Sequence, residues 1–129
     1  MSGNPRVLVL DDEEIVCERL KSHLERDGLE VEVFNDSDAA VARLREAAFD
    51  VVVTDLKMKG PTGLDVLAFV RDEKLQTQVI IITGYGSIEA TRDAEYMGAF
   101  SFVTKPFRMD HLGALVAKAA ARARRHAAR

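Results

Sequence analysis

The chain predicts an α/β fold in which five parallel strands form one sheet with helices on both faces. Short apolar runs recur five times, at 6–10 (RVLVL), 30–34 (EVEVF), 51–54 (VVVT), 78–83 (QVIIIT) and 100–103 (FSFV). Segments with the 3.6-residue period of an amphipathic helix separate them, and that alternation is the repeat of a parallel sheet. Size agrees: 129 residues, 47% hydrophobic and 30% charged, suffice for one core and leave no room for a second domain.

The first strand runs straight into four carboxylic acids, Asp11 to Glu14. Asp11 or Asp12 suits a helix N-cap, with Glu13 and Glu14 in the first turn, where carboxylates meet unpaired N–H groups. The helix over 13–27 places Val16, Leu20 and Leu24 on one face, and Gly28 ends it. Cys17 falls on the apolar side, so it reads as core, and one thiol cannot form an internal disulfide. Further helices are expected over 36–48, opened by Asp36 or Ser37, over 64–73, over 87–97 from Ser87, and over 108–124. The last of these puts Leu112, Leu115, Val116 and Ala119 on one face.

Charge is unevenly placed. From Lys118 onward there are five basic residues, Lys118 included, and no acid, so residues 1–117 carry 13 basic against 21 acidic residues, a net charge of −8. Such a body repels nucleic acid. The expected division is a domain over 1–121 and a basic tail or the start of a linker over 122–129. No apolar run approaches the length of a bilayer span, and the polar start MSGNP lacks the features of a signal peptide. The expectation is a cytoplasmic protein with no direct contact to membrane or nucleic acid.

In open parallel sheets the working groups lie beyond the carboxyl ends of the strands. Strand 1 delivers Asp11 and Asp12, strand 3 delivers Asp55, strand 4 delivers Thr83, and strand 5 delivers Lys105 ahead of Pro106. Strand 2 delivers Phe34 and Asn35, which suggests an edge position away from the site. Three carboxylates on neighbouring strand ends repel one another, so a cation belongs between them. Oxygen donors without Cys or His select Mg²⁺, with Mn²⁺ as a substitute, over zinc or copper. Lys105 and the Thr83 hydroxyl then suit a group with several anionic oxygens, most simply a phosphoryl. Each residue also has a plainer use as a cap, a turn former or an exposed cation, but those uses do not predict convergence on one pocket.

The motifs LDDE (10–13), VVVTDLKM (51–58), IIITGYGSIE (80–89) and FVTKPF (102–107), in this order, resemble the receiver domain of bacterial response regulators (CheY-like). The resemblance covers about Arg6 to Val116 and is closest in flavour to receivers of sigma-54-dependent activators. It implies a flavodoxin-like three-layer sandwich with strand order 2-1-3-4-5. It implies a phospho-accepting role for Asp55, supplied by a sensor histidine kinase, in a protein that catalyses only its own phosphorylation and dephosphorylation. Asp11 and Asp12 match the family's Mg²⁺-holding pair, completed by Asp55 and the backbone carbonyl of Lys57. Lys105 matches the lysine that pairs with a phosphoryl oxygen, aimed by a cis bond to Pro106, and Thr83 the hydroxyl that donates to another.

By the same resemblance Thr83 and Phe102 form a switch that reshapes the surface of helix 4, strand 5 and helix 5. That surface is the expected route to a homodimer and to an output domain or partner protein, with transcription as the expected output. Lys57 and Tyr85 occupy positions that flank the path of attacking water and are expected to tune phosphoryl lifetime. Three departures stand out: Lys59 where relatives have proline, Gly84 where alanine is usual, and Phe102 without a tyrosine hydroxyl. An FMN-binding flavodoxin-like protein would find DDEE repulsive to its phosphate. A haloacid-dehalogenase-type phosphatase would need Asp-x-Asp after its first strand. An interaction module that keeps only the fold would have no use for Asp55, Thr83 and Lys105 together.

Overall fold

The computed structural model describes residues 3–56, 62–84, 92–95 and 97–127. Five strands, β1 (Arg6–Leu10), β2 (Glu30–Phe34), β3 (Val51–Asp55), β4 (Gln78–Thr83) and β5 (Ser101–Thr104), form one parallel sheet in the order β2-β1-β3-β4-β5. Helices α1 (Glu14–Arg26), α2 (Ser37–Glu46) and α3 (Gly63–Asp72) follow the first three strands, residues 92–95 are helical (α4), and α5 (Met109–Ala127) ends the fold. This is the expected three-layer architecture and strand order.

Side-chain alternation divides the core between the two faces of the sheet. Val7, Val9, Val51 and Val53 face α1 and α5, where Leu20, Leu24, Leu112 and Val116 meet them. Leu8, Leu10 and Val52 face the opposite way, onto Ala40 and Leu44 of α2 and Val66 and Leu67 of α3. Burial on both faces explains why the central strands read as unbroken apolar runs rather than alternating ones. Removing one such side chain, as in Leu8→Ala, costs about 2–5 kcal/mol.

Helix ends follow local chemistry. Asp36 caps α2 by accepting the Asp38 N–H at 3.1 Å. Thr62 and Asp65 form a reciprocal capping box at α3, which moves its start to Gly63. Gly28, with φ +86°, ends α1 as expected, its N–H bonded to the Glu25 carbonyl. Neither Asp11 nor Asp12 is the cap of α1: Glu13 holds that position, and its side chain makes no capping hydrogen bond.

The C-terminal helix runs past the expected boundary at 121 without a break. Ala123 is buried, and Arg124 folds back onto the base of the sheet, with Nε 3.3 Å from Asp50 Oδ1 and Nη1 donating to the Gly3 carbonyl at 3.0 Å. Ala123 and Arg124 thus both have contacts with the body of the domain.

β1 connects to one side of the sheet and β3 begins the run to the other, so strand order reverses between these neighbours. Leu10 pairs with Thr54, which brings the residues just beyond both strands to one level at that crevice.

Candidate functional site

Four carboxylates meet at the crevice. Oxygens of Asp11, Asp12, Glu13 and Asp55 all lie within 4.8 Å of one another. Asp11 is 1% exposed and Asp55 8%, whereas Asp12 and Glu13 stand at the mouth. Lys105 enters from the loop after β5, its Nζ 3.0 Å from Asp55 Oδ2, 3.2 Å from Asp11 Oδ2 and 2.9 Å from Glu13 Oε1. Its peptide bond to Pro106 is cis.

Asp11 is fixed from several directions. Its Oδ1 accepts the Glu13 N–H at 2.9 Å, and its backbone carbonyl accepts Asn35 Nδ2 at 2.9 Å and Cys17 Sγ at 3.4 Å. Its Oδ2 is buried and, among the described residues, accepts no hydrogen bond, although the Lys105 ammonium is near. Burial raises the Asp11 pKa, against the lowering effect of the Glu13 N–H and of Lys105. Burial also works against the charge of Lys105, but the carboxylates of Glu13, Asp55 and Asp11 around it outweigh that and hold its pKa above the ordinary lysine value. Among the described residues, one ammonium stands among four carboxylates, a net negative set when all are ionised. A buried, under-used oxygen in an all-oxygen set fits a hard divalent cation such as Mg²⁺.

Thr83, buried at the end of β4, lies beside Thr104 of β5 in the sheet register. Phe102 is half-buried on β5 and packs against the core on the α2 and α3 side. Lys57, Lys59 and Tyr85 lie outside the described residues, as does Ser87. Among the described residues nothing lies within 4 Å of where a side chain on Gly84 would begin.

Three contributors escaped the sequence. Asn35 was expected to lie away from the site; β2 is indeed an edge strand, yet Asn35 reaches inward to the Asp11 carbonyl. Glu13 reads as a first-turn residue but pairs with Lys105, 92 positions away. Gly63 reads as a loop glycine, while a methyl group there would stand 2.6 Å from the Asp55 carbonyl oxygen. Cys17 is core as expected, and burial pushes its thiol up to about 11, so it is a poor nucleophile. Among the described residues no helix is long and apolar enough to cross a membrane.

Comparison with known proteins agrees with this geometry. The family described as the response regulator receiver domain matches residues 7–117. The regulatory protein AtoC of Escherichia coli is 32% identical over 119 residues, 92% of this chain and 26% of AtoC. The transcriptional regulatory protein FixJ of Bradyrhizobium diazoefficiens is 29% identical over 92% of this chain and 58% of its own length. A solution structure of the beryllofluoride-activated NtrC4 receiver domain dimer superposes with a TM-score of 0.85 at 30% identity, covering 92% of this chain and 98% of that one. The chain thus spans about a quarter of AtoC and somewhat over half of FixJ.

Proposed function

The chain belongs to the response regulator receiver domain family, the phospho-accepting modules of two-component signalling, and we propose that Asp55 is the residue that takes the phosphoryl group. The observation that carries this reading is the position of Lys105, whose ammonium bridges Asp55 and Asp11 inside the acidic cluster. An Asp55 carboxylate oxygen attacks the phosphorus of a sensor kinase phosphohistidine. The P–O bond forms as the P–N bond breaks, leaving an acyl phosphate on Asp55 and the imidazole free to take up a proton from solvent.

The chemistry this site must supply is mainly charge neutralisation and alignment, because phosphoryl transfer asks little covalent work of the protein. Lys105 stands where it can pass from the carboxylate to a phosphoryl oxygen, and Thr83 offers a hydroxyl from the neighbouring strand end. Asp11, Asp12 and Asp55, with the Lys57 carbonyl, would hold Mg²⁺ or Mn²⁺. When bound, the metal supplies positive charge beside the transferring oxygens. Asn35 and Cys17 hold the Asp11 backbone in place.

A phosphoryl group adds about −1.5 to −2 charge and three acceptor oxygens. Thr83 turns toward it, and Phe102, half-buried beside the core, moves to report the change on the α4, β5 and α5 face. Through that face the domain would dimerise or engage an output domain, with transcription as the process controlled and the cytoplasm as its location. The protein's own chemistry is confined to gaining and losing this phosphoryl group.

Intact mass after incubation with Mg²⁺ and acetyl phosphate tests the reading. A single added phosphoryl group, absent from Asp55→Asn and prevented by chelator, is expected. Addition to Asp55→Asn at the wild-type level would overturn the assignment of the acceptor.

A further inference from the structure

Lys105 reaches past the two buried carboxylates to a third, and that contact is the shortest of the three: 2.9 Å to Glu13 Oε1, against 3.0 Å to Asp55 and 3.2 Å to Asp11. Glu13 stands at the N-cap of α1, where a carboxylate would ordinarily accept a backbone N–H of the first turn. It accepts none. Asp11 takes the Glu13 N–H instead, and the Glu13 carboxylate is turned to the ammonium. The partners also differ in place: the Glu13 side chain is 62% exposed, and that of Asp11 is 1% exposed.

An ammonium has three N–H donors, and here three carboxylates stand around it. A divalent cation held by Asp11, Asp12 and Asp55 would compete for the carboxylates that Lys105 now contacts, and its charge would repel the ammonium. Lys105 would then be left with Glu13, which is not one of those three holders and stands at the mouth beside Asp55. We propose that Glu13 is a positioning residue onto which Lys105 shifts its ammonium when a cation takes Asp11 and Asp55. Glu13 thereby keeps the lysine at the mouth of the pocket, where a phosphoryl group on Asp55 requires it. This inference rests on the reading that the acidic cluster holds Mg²⁺.

The consequence is a coupling between Glu13 and Lys105 in metal affinity. With Glu13 present, the displaced ammonium keeps one carboxylate; without it, metal binding strands the charge. Glu14, one residue further on, is exposed, carries the same charge and is not one of the three carboxylates at Lys105, so it controls for simple loss of negative charge.

The experiment is a calorimetric titration of the full chain with Mg²⁺, for wild type, Glu13→Ala, Glu13→Gln, Glu14→Gln, Lys105→Met and the Glu13→Ala/Lys105→Met double variant, each first checked by thermal unfolding. Glu13→Ala is expected to weaken Mg²⁺ binding about two- to fivefold, the range of an exposed ion pair. Glu13→Gln, which keeps an acceptor oxygen, recovers part of that loss, and Glu14→Gln loses less than Glu13→Ala. In the Lys105→Met background the Glu13→Ala effect shrinks to that of Glu14→Gln, because the coupling partner is gone. An equal loss with and without Lys105, or no loss in Glu13→Ala, overturns the proposal while leaving the metal site standing. No Mg²⁺ binding by wild type overturns the metal site itself, and this proposal with it.

Discussion

The backbone of Gly63 lies against that of Asp55: a methyl group on Gly63 would stand 2.6 Å from the Asp55 carbonyl oxygen and 3.1 Å from Leu56 Cα. Both neighbours are main-chain atoms, so neither can swing aside as a side chain would. The Gly63 N–H also bonds to the Leu56 carbonyl at 3.1 Å, which ties the start of α3 to the end of β3. Gly63→Ala is therefore expected to destabilise the fold by about 1–3 kcal/mol through overpacking, and to slow phosphorylation from acetyl phosphate by displacing Asp55. Gly84→Ala, whose methyl group meets none of the described residues, is the contrast: its urea midpoint stays level or rises. Equal midpoints for the two variants would show that the close approach carries no energy.

Part of this architecture was readable in the residues. β1 and β4 begin and end where their expected runs do, because branched apolar residues buried in a parallel sheet leave a short uninterrupted signal. That Asp11, Asp12, Asp55 and Lys105 would meet was readable because each directly follows, or nearly follows, such a run. The start of α3 was read one residue late, at 64, although Thr62 and Asp65 carry a capping-box spacing. Glu13, Asn35 and Gly63 were not findable, since their roles depend on what approaches them. Lys105 is 92 residues from Glu13, and the Asn35 amide spans 24 positions to the Asp11 carbonyl. No local pattern encodes such meetings.

Asn35 supports the pocket from outside the sheet's centre. Its Nδ2 donates to the Asp11 carbonyl at 2.9 Å and lies 3.6 Å from Cys17 Sγ. Asn35→Ala leaves that largely buried carbonyl with the weak thiol donor alone, a loss expected at about 1–3 kcal/mol. Because Asp11 is also the buried carboxylate of the cluster, Mg²⁺ affinity should fall with stability. A variant that unfolds earlier in urea yet titrates with Mg²⁺ like wild type would show that Asn35 serves the fold and not the site.

Acid stability should depend on Glu32, on the edge strand β2. Arg43 donates to both its oxygens, at 2.8 and 3.0 Å, and Arg6 adds a third contact at 3.0 Å. The Arg43 hydrogen bond, aided by Arg6, holds the Glu32 carboxyl below its ordinary 4.5. A depressed folded-state pKa means that the unfolded chain binds this proton first on acidification. The stabilisation is thus full above the ordinary value and disappears as pH falls through the folded one. Glu32→Gln should accordingly unfold at lower temperature than wild type near neutrality, with the gap closing below about pH 4. A gap that stayed constant from pH 7 to pH 3, estimated limits that bracket the ordinary carboxylate range, would assign the loss to packing rather than to ionisation.

The end of α5 supplies the last prediction, because it decides where the folded unit stops. Arg124 has Nε 3.3 Å from Asp50 Oδ1, and the other Asp50 oxygen accepts the Arg6 N–H at 2.8 Å, so one carboxylate joins the start of β1 to the end of the last helix. Arg124 also donates to the Gly3 carbonyl at 3.0 Å, and Ala123 beside it is buried. Side chains here are only a quarter exposed or less, 25% for Arg124 and 17% for Asp50, so screening is incomplete. Arg124→Ala is expected to cost about 1 kcal/mol, read as a lower urea midpoint. High salt should narrow the difference without removing it, since the Gly3 bond involves no second charge. A chain ended after Ala121 loses the Ala123 contact as well and should fall further than Arg124→Ala. If that shortened chain matched wild type in urea, the packed end of α5 would contribute nothing to stability, and a domain limit at 121 would stand.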